Sequence, residues 1–504
     1  MSESPVGSTA FPVKPIGEGC DFISGYAFKS KDFVGAGNPI IKIKNIQNGR
    51  VSTEDSQYVS DELITKKLSK FKLTNGDVLI AMTGQGSVGR VGKLYISKKE
   101  TPYLNQRVGK FVADEKTLNK DYLYYVISTQ AYENYLFAAG SGSGQPNLSP
   151  AIIKSIEIPY PPYDMQCRIG KILKDIDNKI ELNRQTNQTL EHIAQAIFKS
   201  WFVDFQPTRA KIAAKQIGQA HQDSERSAAL REALLSDGRW PEAVAAAIAE
   251  GDPERAAMAA ISGAVQGCTN VAGAGATLEQ LITTAALFPD ALVDSELGEI
   301  PEGWAITELG ELLEFNPKRT LKKGVMAPYL DMKNVPTQGH LADDVYVREM
   351  ASGTKFVNGD TLLARITPCL ENGKTAYVDF LEEDQVAWGS TEYIVMRPKN
   401  GRPMSLGYII ARLDSFRSKA IQTMTGTSGR QRANAKALSE QEWINYPLEL
   451  LNAFDRIAGS YLAKAKANGD ENKILEKTRN TLSPKLLSGE LSIESNQTEL
   501  DKTA

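Results

Sequence analysis

The chain has 504 residues, 41% of them hydrophobic and 24% charged, with a formal net charge of -3. That length leaves room for about two to four domains, each with its own core. No apolar run approaches the roughly 20 residues a membrane-spanning helix needs, which excludes a helical membrane protein. Residues 1–10 hold Ser, Gly and Glu where a secretory signal would place Lys or Arg before an apolar block, so the reading is of a cytoplasmic protein. Cys20, Cys167, Cys268 and Cys369 form no C-x-x-C pair and have only His192, His221 and His340 to assist them, which points away from a zinc site or a disulfide framework. Residues 1–164 carry 19 Lys and Arg against 16 Asp and Glu, whereas 206–300 carry 7 against 13, so a mildly basic start is masked by an acidic middle.

Taken in order, residues 1–164 read as a first globular domain of mixed α and β structure. Ile16–Phe22 has a helix-like start that ends in an aromatic residue. Pro39–Ile46 alternates as a short strand and ends on Lys44 and Asn45. Gly76–Asp77 is a turn that feeds a buried strand up to Thr83. The glycine-bearing loop after it holds Gln85, Ser87 and Arg90, and a second strand follows. Tyr122–Ser128 is an apolar helix, and a Gly/Ser-rich loop with Ser143, Gln145 and Asn147 comes after it.

Residues 165–205 read as a spacer helix. Ile169, Leu173, Ile176, Ile180, Asn183, Asn187, Leu190, Ala194 and Ile197 fall at steps of four and three, the seam of a coiled coil. Its length of about 29 residues corresponds to a rod of roughly 43 Å, and the mid-seam asparagines would fix register at some cost in stability. Residues 206–300 form an Ala-rich helical connector broken at Asp237-Gly238, Gly251-Asp252-Pro253 and Gly273-Ala274-Gly275. Ile300-Pro301-Glu302-Gly303-Trp304 marks the next entry, with Trp304 as a packing anchor.

Residues 301–450 then repeat the first domain's order. Leu309–Phe315 answers Ile16–Phe22, Pro328–Val335 with Lys333 and Asn334 answers Pro39–Ile46, and Gly359–Thr367 answers Gly76–Thr83. A loop with Glu371, Asn372 and Lys374 follows, then an apolar helix at Leu406–Leu413 and a basic loop with Arg430, Gln431 and Arg432. Five matches in one order and at a nearly constant offset indicate an internal duplication. Residues 451–491 offer a second spacer helix. Ile457, Tyr461, Leu475 and Leu482 share a weaker heptad frame, and Asn472-Lys473-Ile474 echoes Asn178-Lys179-Ile180. If a pseudo-two-fold axis relates the halves, the two rods run antiparallel with one domain at each end. Residues 492–504 read as a disordered tail.

Two motifs are set aside. Gly84–Gly89 fits G-x-G-x-x-G, but a dinucleotide site needs a helix after the glycines and here a strand pattern follows. Tyr160-Pro161-Pro162-Tyr163 is close to an amino-methyltransferase loop, yet tyrosine is a poor acceptor where that loop has Asp or Asn. No Walker lysine motif, H-E-x-x-H or nucleophile elbow occurs.

With these features on record, the chain resembles the specificity subunits of type I restriction-modification systems over nearly its whole length. The residues that carry this are Gly76–Ala81, Ser143–Leu148, Ala196–Phe205, Asp294–Trp304 and Thr425–Arg432. The resemblance implies an α+β protein with target-recognition domains at 1–164 and 301–450, separated by antiparallel coiled-coil helices. It also implies no catalysis by this chain. Two modification subunits would bring S-adenosylmethionine, and restriction subunits would bring ATP and Mg2+. The partner of the chain itself would be double-stranded DNA, read as a bipartite, asymmetric site in phage defence. The stretch 211–284 is longer than a minimal spacer needs. A rod of roughly 43 Å exceeds one turn of B-DNA, about 34 Å, so two domains could meet grooves a turn apart. The DNA-facing candidates are Gln85, Ser87, Arg90, Glu371, Asn372 and Lys374, then Lys44, Asn45, Lys333 and Asn334, then Ser143, Gln145, Asn147, Arg430, Gln431 and Arg432. Replacing Arg430 and Arg432 together is expected to weaken DNA binding and flatten its salt dependence. The competing readings are a helical adaptor that does not read DNA and an autonomous DNA methyltransferase.

Overall fold

The structure, a computed structural model, describes residues 5–47, 49–53, 55–96, 100–141, 146–220, 228–229, 232–233, 240–266, 277–427 and 429–492. The chain divides into two compact units, residues 1–181 with 472–504, and residues 182–471. Both mix helices with sheets, an α+β architecture.

In the first unit the Gly-Asp turn has a clear physical basis. Gly76 takes a φ of 82°, in the left-handed region open to glycine. Asp77 is buried, accepts from the Thr74 backbone N–H at 2.8 Å and pairs with Lys110 at 2.7 Å. The strand launched there, Val78–Ala81, is buried at every position and lies antiparallel between Val91–Leu94 and Val108–Ala113. Val108–Ala113 also pairs with Cys20–Ser24, the strand that follows the short 3-10 turn Ile16–Glu18. A second sheet holds Asn38–Ile41 with Tyr103–Leu104 parallel beside it. The helix Lys120–Ile127 is capped by Asn119, whose side chain accepts from the Tyr122 N–H, and it buries six consecutive residues, Tyr122–Ile127, in the core. Val13–Pro15 and Glu157–Pro159 close the unit as an antiparallel pair.

The second unit runs through the same order. Ala305–Glu308 pairs with Glu442–Asn445, and Leu309–Leu312 leads into Leu313–Phe315, which pairs with Tyr393–Pro398. Tyr393–Pro398 pairs in turn with the fully buried strand Thr361–Ala364. Met326–Leu330 has Ala387–Gly389 parallel beside it, as Asn38–Ile41 has Tyr103–Leu104. The Gly-Asp turn recurs: Gly359 has a φ of 86°, and the fully buried Asp360 accepts from the Val357 N–H at 2.9 Å and pairs with Arg397 at 2.7 Å. The cation on the adjacent strand, Lys110 in one unit and Arg397 in the other, was not foreseen from sequence.

Two long helices, Tyr163–Phe198 and Leu448–Ser488, contribute segments to both units. In the first unit Asp177 pairs with Arg479 at 2.7 Å, and Asn472 donates to the Ile180 carbonyl at 3.4 Å. In the second unit Asn187 donates to the Ala465 carbonyl at 3.0 Å and accepts from Asn468 at 2.8 Å, while Asn183 donates to Glu471 at 2.7 Å. In each unit partners rise in number on one helix as they fall on the other, so the segments are antiparallel. Ile169, Leu173, Ile180, Asn183, Leu190, Ala194 and Ile197 are buried, while Ile176, Asn187, Leu475 and Leu482 are half-buried. The Asn472-Lys473-Ile474 echo requires correction. Asn472 is buried and Ile474 is 67% exposed, whereas Asn178 is exposed and Ile180 buried. The three residues match in letters, but Asn and Ile exchange faces, because the pattern sits at a different phase on each helix.

The helix Tyr163–Phe198 ends in a wider π-type turn, Lys199–Val203, which buries Trp201 and Phe202. Trp304 packs there against Phe202, Phe205 and Tyr446. Within the connector, Gln206–Ala220, Glu242–Ala249 and Pro253–Gln266 form a small helical layer with an alanine-rich core of their own. Cys268, His221 and the tail from 493 onward lie outside the described residues. Among the described residues no helix is long and apolar enough to cross a membrane.

Candidate nucleic-acid interface

Three polar loops converge in the first unit. The loop joining Val78–Ala81 to Val91–Leu94 turns through Gly84, Gly86 and Gly89, all at positive φ, and leads into a strand without a helix N-terminus. It meets the segment after the helix Gln130–Gly140: Thr83 and Asn147 form a β-bridge, and the Leu148 N–H donates to the Met82 carbonyl at 2.8 Å. A side chain added at Gly84 would lie 3.7 Å from Ile43, which places the turn Ile43–Asn45 beside the same loop. Gln85, Arg90, Lys44 and Asn147 are exposed and Ser87 is half-buried. Arg90 folds back to donate to the Gly86 carbonyl at 2.6 Å. Ser143 and Gln145 lie outside the described residues.

Asn45 is a correction. It is 6% exposed; its side chain accepts from the Lys42 N–H at 2.9 Å and donates to Ser56 at 3.2 Å. It therefore shapes the turn that presents Lys44 and does not itself face outward. Two residues absent from the sequence reading anchor the neighbouring hairpin. Arg50 reaches Glu181 on the long helix at 2.8 Å, and the Tyr124 hydroxyl donates to the Gly49 carbonyl at 2.9 Å.

The second unit brings its three loops together in the same manner. Ile366 and Arg432 form the bridge, and the Thr367 N–H donates to the Gln431 carbonyl at 3.0 Å. Lys374 donates to the carbonyls of Met332 at 2.7 Å and Lys333 at 3.3 Å, which ties the 371–374 loop to the turn Met332–Asn334. Lys333, Glu371, Asn372 and Arg430 are exposed; Asn334 and Gln431 are half-buried. Three candidates have other partners. The Lys374 ammonium is used on the carbonyls just named, and Arg432 grips Glu392 through Nε at 2.9 Å and Nη2 at 2.7 Å. The Asn334 side chain donates to the Asp344 carbonyl at 2.9 Å. Two-point guanidinium-carboxylate contacts are among the stronger charge-assisted hydrogen bonds, so Arg432 holds the loop that offers Arg430. No signal in a single sequence separates such a residue from an outward-facing arginine.

Among the described residues no group of three or more His, Cys, Asp or Glu side chains could hold a metal ion. Residues 10–192 match the type I restriction modification DNA specificity domain. A curated relative, the HindI type I restriction enzyme specificity subunit of Haemophilus influenzae, is 26% identical over 444 residues, 84% of this chain and 88% of the relative. The MjaIX specificity subunit of Methanocaldococcus jannaschii is 29% identical over 180 residues, 36% of this chain and 40% of the relative. The type I restriction-modification S subunit from M. genitalium superposes with a TM-score of 0.47 at 13% identity, covering 97% of this chain and 98% of that one. Residues 10–192 thus match a type I restriction modification DNA specificity domain, and over 84% of its length the chain is similar to a type I restriction enzyme specificity subunit.

Proposed function

We propose that this chain is the non-catalytic specificity subunit of a type I restriction-modification system and reads a bipartite, asymmetric site on double-stranded DNA, one half with each unit. The observation that carries the reading is the convergence of three polar loops in each of two units that share one order of elements and the same central strand pairings. Lys44, Gln85, Ser87, Arg90 and Asn147 act in the first unit, and Lys333, Glu371, Asn372, Arg430 and Gln431 in the second. Lys and Arg supply phosphate contacts and the amide, hydroxyl and carboxylate groups meet base edges. The long helices form an antiparallel coiled-coil spacer whose length sets the gap between half-sites, with the halves related by pseudo-two-fold symmetry. The connector 206–300 belongs to that brace.

The chain docks two modification subunits, which carry S-adenosylmethionine, and restriction subunits, which carry ATP and Mg2+, and it works in the cytoplasm. Co-expression with the modification subunits, followed by mapping of methylated positions across the host genome, tests this directly. The expected result is one motif made of two specified segments around an unspecified gap. A single continuous motif, or methylation without sequence preference, would refute it.

A further inference from the structure

We infer that Arg412 is a positioning residue for sequence reading by the second unit, holding its recognition loops in register and linking them to the long helix. Arg412 ends the helix Ser405–Arg412 and its side chain is only 7% exposed. A guanidinium has five N–H donors in a fixed plane, and here each has an acceptor. Nε donates to the Tyr408 hydroxyl at 2.9 Å. Nη1 donates to the carbonyls of Thr337 at 2.7 Å and Gly373 at 2.9 Å. Nη2 donates to the carbonyls of Gly339 and, at 3.1 Å, Thr375.

Those four carbonyls come from two segments, 337–339 and 373–375. The first directly follows the turn with Lys333 and Asn334, and the second is continuous with the loop of Glu371 and Asn372. One side chain therefore fixes the spacing of the two loops assigned to base and phosphate contact. The link continues to the helix Tyr163–Phe198: the Tyr408 hydroxyl donates to Glu191 at 2.5 Å, and Arg412 Nε lies 3.4 Å from the same carboxylate. Gln195 holds that carboxylate from one turn further along, at 3.0 Å. Glu191 is itself buried, so the carboxylate opposes the buried guanidinium charge. The first unit has no arginine at the matching end of Lys120–Ile127; it ties its hairpin to the helix through Arg50 and Glu181 instead. The effect of Arg412 is thus confined to one half of the site.

This inference rests on the proposed bipartite reading, and its test keeps the two apart. The full chain carrying Arg412→Lys is co-expressed with its modification subunits and the methylated motif is mapped. Lysine keeps the charge opposite Glu191 but has three donors on one atom and cannot span both loops. The expected result is loss of roughly tenfold or more of base discrimination at one or more positions of one half-site. The other half-site and the gap should stay as in the parent. Tyr408→Phe, which removes one hydroxyl and leaves the four carbonyl contacts, should relax the same half-site to a smaller degree and serves as the second variant should Arg412→Lys not accumulate. A merely structural role would lower methylation at all sites with the motif unchanged, and that outcome overturns the inference. So does equal relaxation of both halves. A parent chain without a two-part motif would overturn the bipartite reading itself, and the positioning role with it.

Discussion

Asp121 opens the helix Lys120–Ile127 between two lysines, with Lys93 at 2.6 Å and Lys174 at 2.7 Å. Burial alone would push its carboxyl up, but the two ammonium groups outweigh that and hold it below the usual carboxylate range. Burial also holds the Lys93 ammonium below its ordinary value, with Asp121 offsetting only part of the effect. In the acid range, therefore, the carboxylate governs the pH response. A depressed folded-state value means the unfolded chain takes up the proton first. The contribution of the pair is then full above about pH 4 and is lost as pH falls through the lowered value. Thermal melts from pH 7 to pH 3 should show Asp121→Asn well below the parent at neutral pH and the gap narrowing in acid; a constant gap would contradict this. Arg430 and Arg432 now separate. Arg430→Ala should weaken binding evenly across DNA sequences and lower the salt slope by about 1, the signature of one phosphate contact, in titrations at several salt concentrations. Arg432→Ala should act through the loop by freeing Glu392.

The strands and helices of each unit are written in local pattern. Val78–Ala81 and Thr361–Ala364 are short apolar runs behind a Gly-Asp turn, and such runs fold as buried strands wherever a sheet receives them. The long helix itself was equally legible over Ile169–Ile197, since periodic apolar spacing is a property of the helix alone. Its partner was legible only as a weaker heptad frame over Ile457–Leu482. The Leu448–Ser488 seam is carried by Ala465, Asn468 and Asn472 as much as by leucines, so hydrophobic periodicity underweights it. Asn187 joins Ala465 and Asn468 across that seam. Asn187→Ala strips a partner from both and is expected to destabilise the fold by about 1–2 kcal/mol, read from the shift of the denaturation midpoint at constant m. An unchanged midpoint would remove the asparagines from any role in register.

At the scale of the whole molecule, the proposed spacer makes a geometric prediction. Seven residues inserted into each long helix add two turns, about 10.5 Å, or about three base pairs at 3.4 Å each. The methylated motif should then keep both half-sites and gain unspecified positions between them; altered half-sites with the old gap would contradict the proposal. The sequence by itself determined the repeated order of elements, the α+β content, the long central helix and the family resemblance, because each rests on composition, period or order along the chain. Only the tertiary structure decided which polar side chains face outward. Asn45, Lys374, Arg432 and Arg412 are all polar residues in or beside loops, yet each has its donors or acceptors used inside the unit. A polar group drawn into the fold must find partners; most of those of Lys374, Arg432 and Arg412 lie tens of residues away in sequence, and those of Asn45 depend on how its turn closes, so no local pattern reaches them.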